Sequence, residues 1–321
     1  MDVSVAICTY NRVAMLQDTL ASFAAQHGRC RARFELLVVD NNSSDGTAAA
    51  VAAFAGEHPH VPTRCIREPR QGLSHARNRA AREAAGAVVV FCDDDVYFDT
   101  NVVDAYADAF RGDAGLAAAA GRIDAHFEAP RPAWLSDALL APYSITAFGD
   151  ASRPLAADEQ PVGANMAVRR ELVLALGGFN PKLGRDGKSL LSNEENLFFG
   201  QLRRQGGAFA YLPAARVRHR ISPERLTEQW LVSRYFWQGI SDAVLEVETG
   251  RLSRAAALGG AWGDIVKVLG MLRPRNADLR AWYWHVRHPG VAVAHRRAYR
   301  WGRAKGRLRT ALFAGAGSAV R

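Results

Sequence analysis

The first 125 residues switch repeatedly between two periodicities, and that alternation constrains the fold more than any other feature. Apolar runs at 3–8, 34–39, 87–92 and 116–120, with a weaker one at 62–67, are separated by segments of helical spacing at 12–26, 45–54, 74–85 and 99–110. The first helical segment puts Leu16, Leu20 and Phe23 on one face, whereas 87–92 reads Ala-Val-Val-Val-Phe-Cys with no charged residue. Short apolar runs bounded by turn residues suit strands buried on both faces. Strand–helix alternation then predicts an α/β fold, a mostly parallel sheet with helices on both faces. Ligands gather at the carboxyl ends of such strands. That rule brings three loops to one rim: Thr9-Tyr10-Asn11-Arg12, Asp40-Asn41-Asn42 and Asp93-Asp94-Asp95.

Beyond this half, 129–161 is rich in proline and small residues, a loop-rich crossover in which Trp134 stands out. Order resumes at 163–176, followed by a predicted helix at 193–205, a short strand at 208–212 and a long helix at 224–248. Everything after Arg251 reads as helix or basic tail. The expected organisation is 1–125 and 126–222 as two halves of one α/β domain, with 223–321 as a helical, basic extension. Glycines flank Arg185 and Asp186 in Gly184-Arg185-Asp186-Gly187-Lys188, the pattern of a loop that moves over substrate.

The net charge of +9 belongs to the tail: residues 273–321 carry twelve Lys and Arg against one acid, Asp278. Basic residues following Trp282-Tyr283-Trp284 suit an anionic membrane surface; a solvated basic helix pair or an oligomer contact accounts for the same charge. No nucleic-acid recognition motif accompanies it, so no nucleic-acid partner is expected. The four cysteines lack paired spacing, which argues against a zinc site or disulfides. The start has no basic segment leading into an apolar stretch, and no run of about 18 apolar residues occurs. The expected location is cytoplasmic, with the tail as a peripheral contact at the inner face of a membrane.

Three adjacent carboxylates after a buried strand raise one another's cost of ionisation unless a cation sits among them. Oxygen ligands suit Mg²⁺ or Mn²⁺, ions that commonly complete their shells with phosphate oxygens. In a β-conformation Asp93 and Asp95 point one way and Asp94 the other. Asp40 and Asn42 are placed to meet a base edge or ribose hydroxyl, although Asp-Asn-Asn-Ser-Ser-Asp-Gly also makes a turn and helix cap. The helix start after Thr9–Arg12 offers N–H groups to an anion, and Tyr10 can stack on a base. Arg77 offers a forked donor to diphosphate, or is an ordinary surface arginine.

These segments, in this order, resemble glycosyltransferase family 2 with its GT-A fold. The resemblance is carried by Val5 to Arg12, Val38 to Thr47, Gly72 to Asn78 and Phe91 to Asp95, then Gly163-Ala164-Asn165-Met166-Ala167-Val168-Arg169-Arg170 and Asn193-Glu194-Glu195-Asn196-Leu197. It implies a nucleotide-sugar-dependent, inverting glycosyltransferase. By that resemblance Asp40 binds the base, supported by Thr9, Tyr10, Asn11 and Arg12; Asp93 contacts ribose or metal-bound phosphate, and Asp94 stands with the nucleotide. Asp95 ligates Mn²⁺ or Mg²⁺, and His219 matches a histidine that completes the shell in some relatives. Asn165 is an expected sugar contact; Trp134, read from its aromatic face in the proline-rich loop and not from the resemblance, is either an acceptor platform or a hydrophobic anchor for that loop. The general base falls on Glu195, where the family commonly has Asp, with Glu194 as its rival. UDP is the expected carrier, and the acceptor a glycan, a lipid-linked sugar or a small natural product. The alternatives are a non-catalytic nucleotide-sugar binder and a nucleic-acid-binding module. A sugar-phosphate nucleotidyltransferase is disfavoured by Thr-Tyr-Asn-Arg after the first strand, and a dinucleotide-dependent dehydrogenase by the lack of G-x-G-x-x-G there.

Overall fold

A computed structural model describes residues 1–25, 30–99, 102–187, 189–272 and 291–313. Trp282-Tyr283-Trp284, Asp278 and Lys188 lie outside the described residues. The chain divides into two compact units.

The first unit comprises Met1–Glu128, Asp137–Pro181 and Glu194–Ile221. In chain order it contains β1 (Val3–Thr9), α1 (Val13–Ala24), β2 (Phe34–Asp40), α2 (Thr47–Glu57), β3 (Thr63–Arg67), α3 (Leu73–Glu83), β4 (Val88–Asp93) and β5 (Val96–Phe98). There follow α4 (Val102–Gly112), β6 (Leu116–Phe127), β7 (Arg153–Pro154), β8 (Asn165–Arg169), α5 (Arg170–Ala175), α6 (Glu194–Arg204) and β9 (Ala208–Ile221). The sheet order is β3-β2-β1-β4-β8-β6-β9-β5, with β7 on β9. Parallel pairing holds across β3, β2, β1 and β4 and again between β6 and β9; β8, β5 and β7 run against their neighbours.

The apolar runs are continuous because both faces of the sheet are covered. Val3, Val5 and Ile7 of β1 pack with α1 and α4 residues such as Leu16, Leu20 and Tyr106, whereas Ala6 and Cys8 pack with Ala76, Ala80 and Phe91 on the other side. Alternation of side chains along a strand sends them to opposite cores.

Several strands differ from the sequence expectation: β6 runs on to Phe127 beyond the expected 116–120, and β7 falls in the segment expected to be loop. β9 runs fourteen residues, not the five of 208–212. Its second half alternates exposed Arg216 and Arg218 and half-buried Arg220 with buried Val217, His219 and Ile221, the signature of a strand with one wet face. The three-residue β5 was not anticipated; it pairs antiparallel with β9, setting Val96 opposite His219.

The second unit comprises Ala129–Ser136, Lys182–Asn193 and Ser222–Arg321. It holds α7 (Glu228–Glu248), α8 (Arg254–Met271) and α9 (Val291–Phe313). α7 starts at the Thr227 cap, whose side chain accepts from Trp230 N–H, four residues later than the predicted 224. α9 packs on both α7 and α8. Small residues permit the close crossing: a Cβ on Gly239 would stand 2.0 Å from the Tyr299 carbonyl oxygen. Arginines of the tail turn inward here. Arg300 and Arg307 reach Asp264 at 2.8 and 2.7 Å, and Arg303 and Arg307 reach Glu246 at 2.6 and 2.8 Å. Part of the tail's charge is therefore neutralised within its own helices. Trp134 is half-buried in this unit. In the segment 184–187, Gly184 and Gly187 take φ of 89° and 84°, backbone that favours glycine.

Candidate active site

The strand register assembles the rim. Thr9 lies beside Asp40 across β1 and β2, and Cys8 beside Asp93 across β1 and β4. The two loops that follow β1 and β2 are stitched together: Asn11 accepts from Ser44 N–H at 2.7 Å and donates its own N–H to Ser43, while Val13 N–H donates to Asp45. Asn11 and Asn42 adopt left-handed backbone, φ 50° and 66°, which asparagine tolerates better than most residues. Asp40 is buried and accepts from Ser43 N–H at 2.8 Å, so it shapes its own turn. Asn42 is exposed and accepts from Arg67. Tyr10 is half-buried at the same rim.

Asn41, between these two, was not singled out from the sequence. It is 4 % exposed; its amide donates to the carbonyls of Glu68 and Arg70 and accepts from Gly72 N–H at 2.8 Å. One side chain thus fixes the loop that launches α3 and Arg77. Its signal was a polar residue flush against a buried strand.

Strand geometry ends at Asp93, and Asp94 and Asp95 lie in a turn. Asp94 points back into the protein. Thr9 Oγ1 and Arg12 donate to its carboxylate, and Thr19 donates to its carbonyl. Burial pushes the Asp94 carboxyl up to about 6 against the pull of Arg12. Burial opposes the Arg12 charge too, but Asp94 and Asp95 outweigh it and hold the guanidinium above its usual range. Asp94 and Arg12, expected as nucleotide contacts, are thus the brace of the first loop.

Asp93, Asp95 and His219 come together, each offering one ligand atom within 4.8 Å of the others. β5 makes this possible: Arg220 N–H donates to the Asp95 carbonyl at 2.9 Å, and His219 Nε2 stands 3.2 Å from Asp95 Oδ1. Asp95 also accepts from Arg12 at 2.7 Å. Two carboxylates and an imidazole form a donor set that fits a divalent ion. The carboxylates suit Mg²⁺ and Mn²⁺ alike, and the nitrogen ligand favours the softer Mn²⁺.

Arg77 is 3 % exposed, which removes the surface-arginine reading. It donates to Glu194 at 2.7 Å, stands 3.7 Å from Asp93 Oδ1, and lies over the Phe179 ring. A Cβ on Gly163 would fall 2.1 Å from Arg77 Nη2, so the glycine of the Gly163–Arg170 segment makes room for this cation. Burial and the neighbouring Glu195 push the Glu194 carboxyl up to about 8, with Arg77 pulling the other way. Both glutamates open α6, where acidic side chains meet the positive helix end.

Asn165, expected as a sugar contact, is spent inside the core. It is 0 % exposed, accepts from Tyr106 Oη at 2.8 Å, and donates to the carbonyls of Arg122 and Ala215. Its amide clips β8 to β6 and β9 because a buried amide needs all its partners.

The family model described as glycosyl transferase family 2 matches residues 4–174. A glucosyl-dolichyl phosphate glucuronosyltransferase of Haloferax volcanii is 27% identical over 252 residues, 77% of this chain and 78% of the relative. The succinoglycan biosynthesis protein ExoM of Rhizobium meliloti is 28% identical over 266 residues, 81% of each chain. Among solved structures, the mannosyltransferase PcManGT from Pyrobaculum calidifontis, in complex with GDP-Man and Mn²⁺, has a similar fold. Its TM-score is 0.59 at 20% identity, covering 98% of this chain and 88% of that one.

Proposed function

The chain belongs to glycosyl transferase family 2, and we propose that it transfers a sugar from a nucleotide-sugar donor by inverting displacement, with Glu195 as general base. Membership makes it a glycosyltransferase drawing on a nucleotide sugar; the stereochemistry, the base and the acceptor are what is proposed. The observation that carries the reading is the Asp93–Asp95–His219 cluster beside the buried Arg77–Glu194 pair.

The residues divide the work. Asp93, Asp95 and His219 would hold Mn²⁺ or, less favourably, Mg²⁺. A bound ion supplies charge compensation for the departing diphosphate. Asp40 and Tyr10 receive the nucleotide at the rim, on the platform that Asn11, Ser43 and Asn41 build. Arg77 is committed to Glu194, which leaves the proton of the acceptor hydroxyl to Glu195. As that proton moves to Glu195, the acceptor oxygen bonds to the anomeric carbon and the bond to the diphosphate oxygen breaks on the opposite face.

UDP is the carrier proposed, and the structural neighbour bound to GDP-Man makes GDP the second to test. The Haloferax relative, named for a dolichyl phosphate-linked sugar, and the succinoglycan protein both favour a lipid-linked or growing glycan as acceptor. The base is tested by turnover of Glu195→Gln and Glu194→Gln. Loss of a general base costs roughly 10²–10⁴-fold. That fall is expected in kcat for Glu195→Gln with donor KM unchanged. Retained turnover in that variant, with the loss moved to Glu194→Gln, would reassign the base.

A further inference from the structure

Helix α8 is apolar on two sides. Ala257, Ala261 and Val268 face inward together with Asp264, each at most 1 % exposed. Leu258, Trp262, Val266 and Leu269 are 45, 66, 48 and 51 % exposed. At 3.6 residues per turn those four fall within an arc of about 80° and run for roughly 17 Å along the helix. No charged residue lies inside the arc; the exposed Arg254 borders it, about 40° from Leu258. The helix's one acid, Asp264, is turned away and paired to Arg300 and Arg307. An apolar strip of this size on a water-facing helix marks an interaction surface.

The charge around it selects the partner. Among the described residues from Arg251 onward there are ten Lys and Arg against one acid, Asp264, and three of them, Arg300, Arg303 and Arg307, turn inward onto Asp264 and Glu246. On α9, Trp301, Leu308 and Leu312 are 44, 37 and 62 % exposed, and Lys305 beside them is exposed too. Among the described residues, no helix is long and apolar enough to cross a membrane. A second copy of the chain would bring like charge against like charge. A helix with a bare apolar face, a cation at its margin and further Lys and Arg in the neighbouring helix matches the headgroup layer of an anionic bilayer.

We propose that the outer face of α8 docks on an anionic membrane surface. Leu258, Trp262, Val266 and Leu269 enter the acyl boundary, and Arg254 meets lipid phosphates. This docking is independent of the chemistry proposed above, so either can fail alone.

The test is sedimentation of the full chain with phosphatidylcholine vesicles, with and without phosphatidylglycerol. The comparison variant is Leu258→Ser with Trp262→Ser, substitutions on exposed positions. Wild type is expected to pellet with the phosphatidylglycerol vesicles. The double variant is expected to bind them at least tenfold more weakly while nucleotide binding is retained, which certifies its fold. Equal vesicle binding by both proteins, or no vesicle binding by wild type, overturns the proposal. A wild-type dimer that the double variant converts to monomer, with vesicle binding absent, assigns the face to a second copy instead.

Discussion

The Arg77 guanidinium donates to Glu194 Oε1 at 2.7 Å with both side chains 4% exposed, and the same cation stands 3.7 Å from Asp93. One buried charge therefore links the glutamate pair that opens α6 to the acidic cluster at the end of β4. Neither side is independent of the other.

Removing one member of a buried pair leaves the other desolvated without compensation. Glu194→Leu is expected to destabilise the protein by ~3–5 kcal/mol. Urea unfolding of the variant measures this, and Glu194→Gln, which keeps an acceptor for Arg77, is expected to lose less.

The Glu194 carboxyl is raised from 4.5 to about 8 by burial and by Glu195, with Arg77 opposing. Below pH 4.5 the folded and unfolded chains both hold that proton. Between about pH 4.5 and 8 the unfolded chain releases it first, so stability falls as pH rises through this window. Denaturation midpoints followed across it should show that slope in wild type and a flatter one in Glu194→Gln.

Gly163→Ala places a methyl group 2.1 Å from Arg77 Nη2. Overpacking of this kind costs ~1–3 kcal/mol. Because the Arg77 guanidinium is the group displaced, turnover is expected to fall with stability. Thermal unfolding and steady-state kinetics on the same preparation check both.

All four cysteines are free thiols. Burial pushes Cys8 up to about 12 and Cys92 well above its ordinary value. Cys30 is pushed to about 12 by burial and Asp104. Iodoacetamide at neutral pH should modify the exposed Cys65 first and leave Cys8 and Cys92 untouched until the protein unfolds, as read by peptide mass.

The first half of the fold was legible because its strands are buried on both faces and therefore continuous in hydrophobicity. The rim loops were legible because Asp40 and Asp93 directly end such strands. His219 was legible only through the family resemblance, and its partner strand β5 was invisible: three residues carry too little pattern, and their pairing is long-range. β9 was cut short at 212, although Arg216-Val217-Arg218-His219-Arg220-Ile221 alternates strictly. Asn165 and Arg12 share a feature: both are held by the protein's own groups. Polar residues at a strand end look like ligand contacts whether they face a substrate or satisfy the protein's own carbonyls and carboxylates, and only the tertiary partners decide. The inward turn of Arg300, Arg303 and Arg307 was hidden for the same reason, since a run of arginines shows its sign but not its neighbours.

The central claim is a metal-dependent nucleotide site at Asp93, Asp95 and His219. It is tested most directly by calorimetric titration of UDP and GDP, with and without Mn²⁺, into wild type and Asp95→Asn. The account predicts that one carrier binds only when Mn²⁺ is present and that binding weakens at least tenfold in the variant. Binding of equal strength without the metal and in the folded variant, or no binding of either carrier by folded wild type, would contradict it.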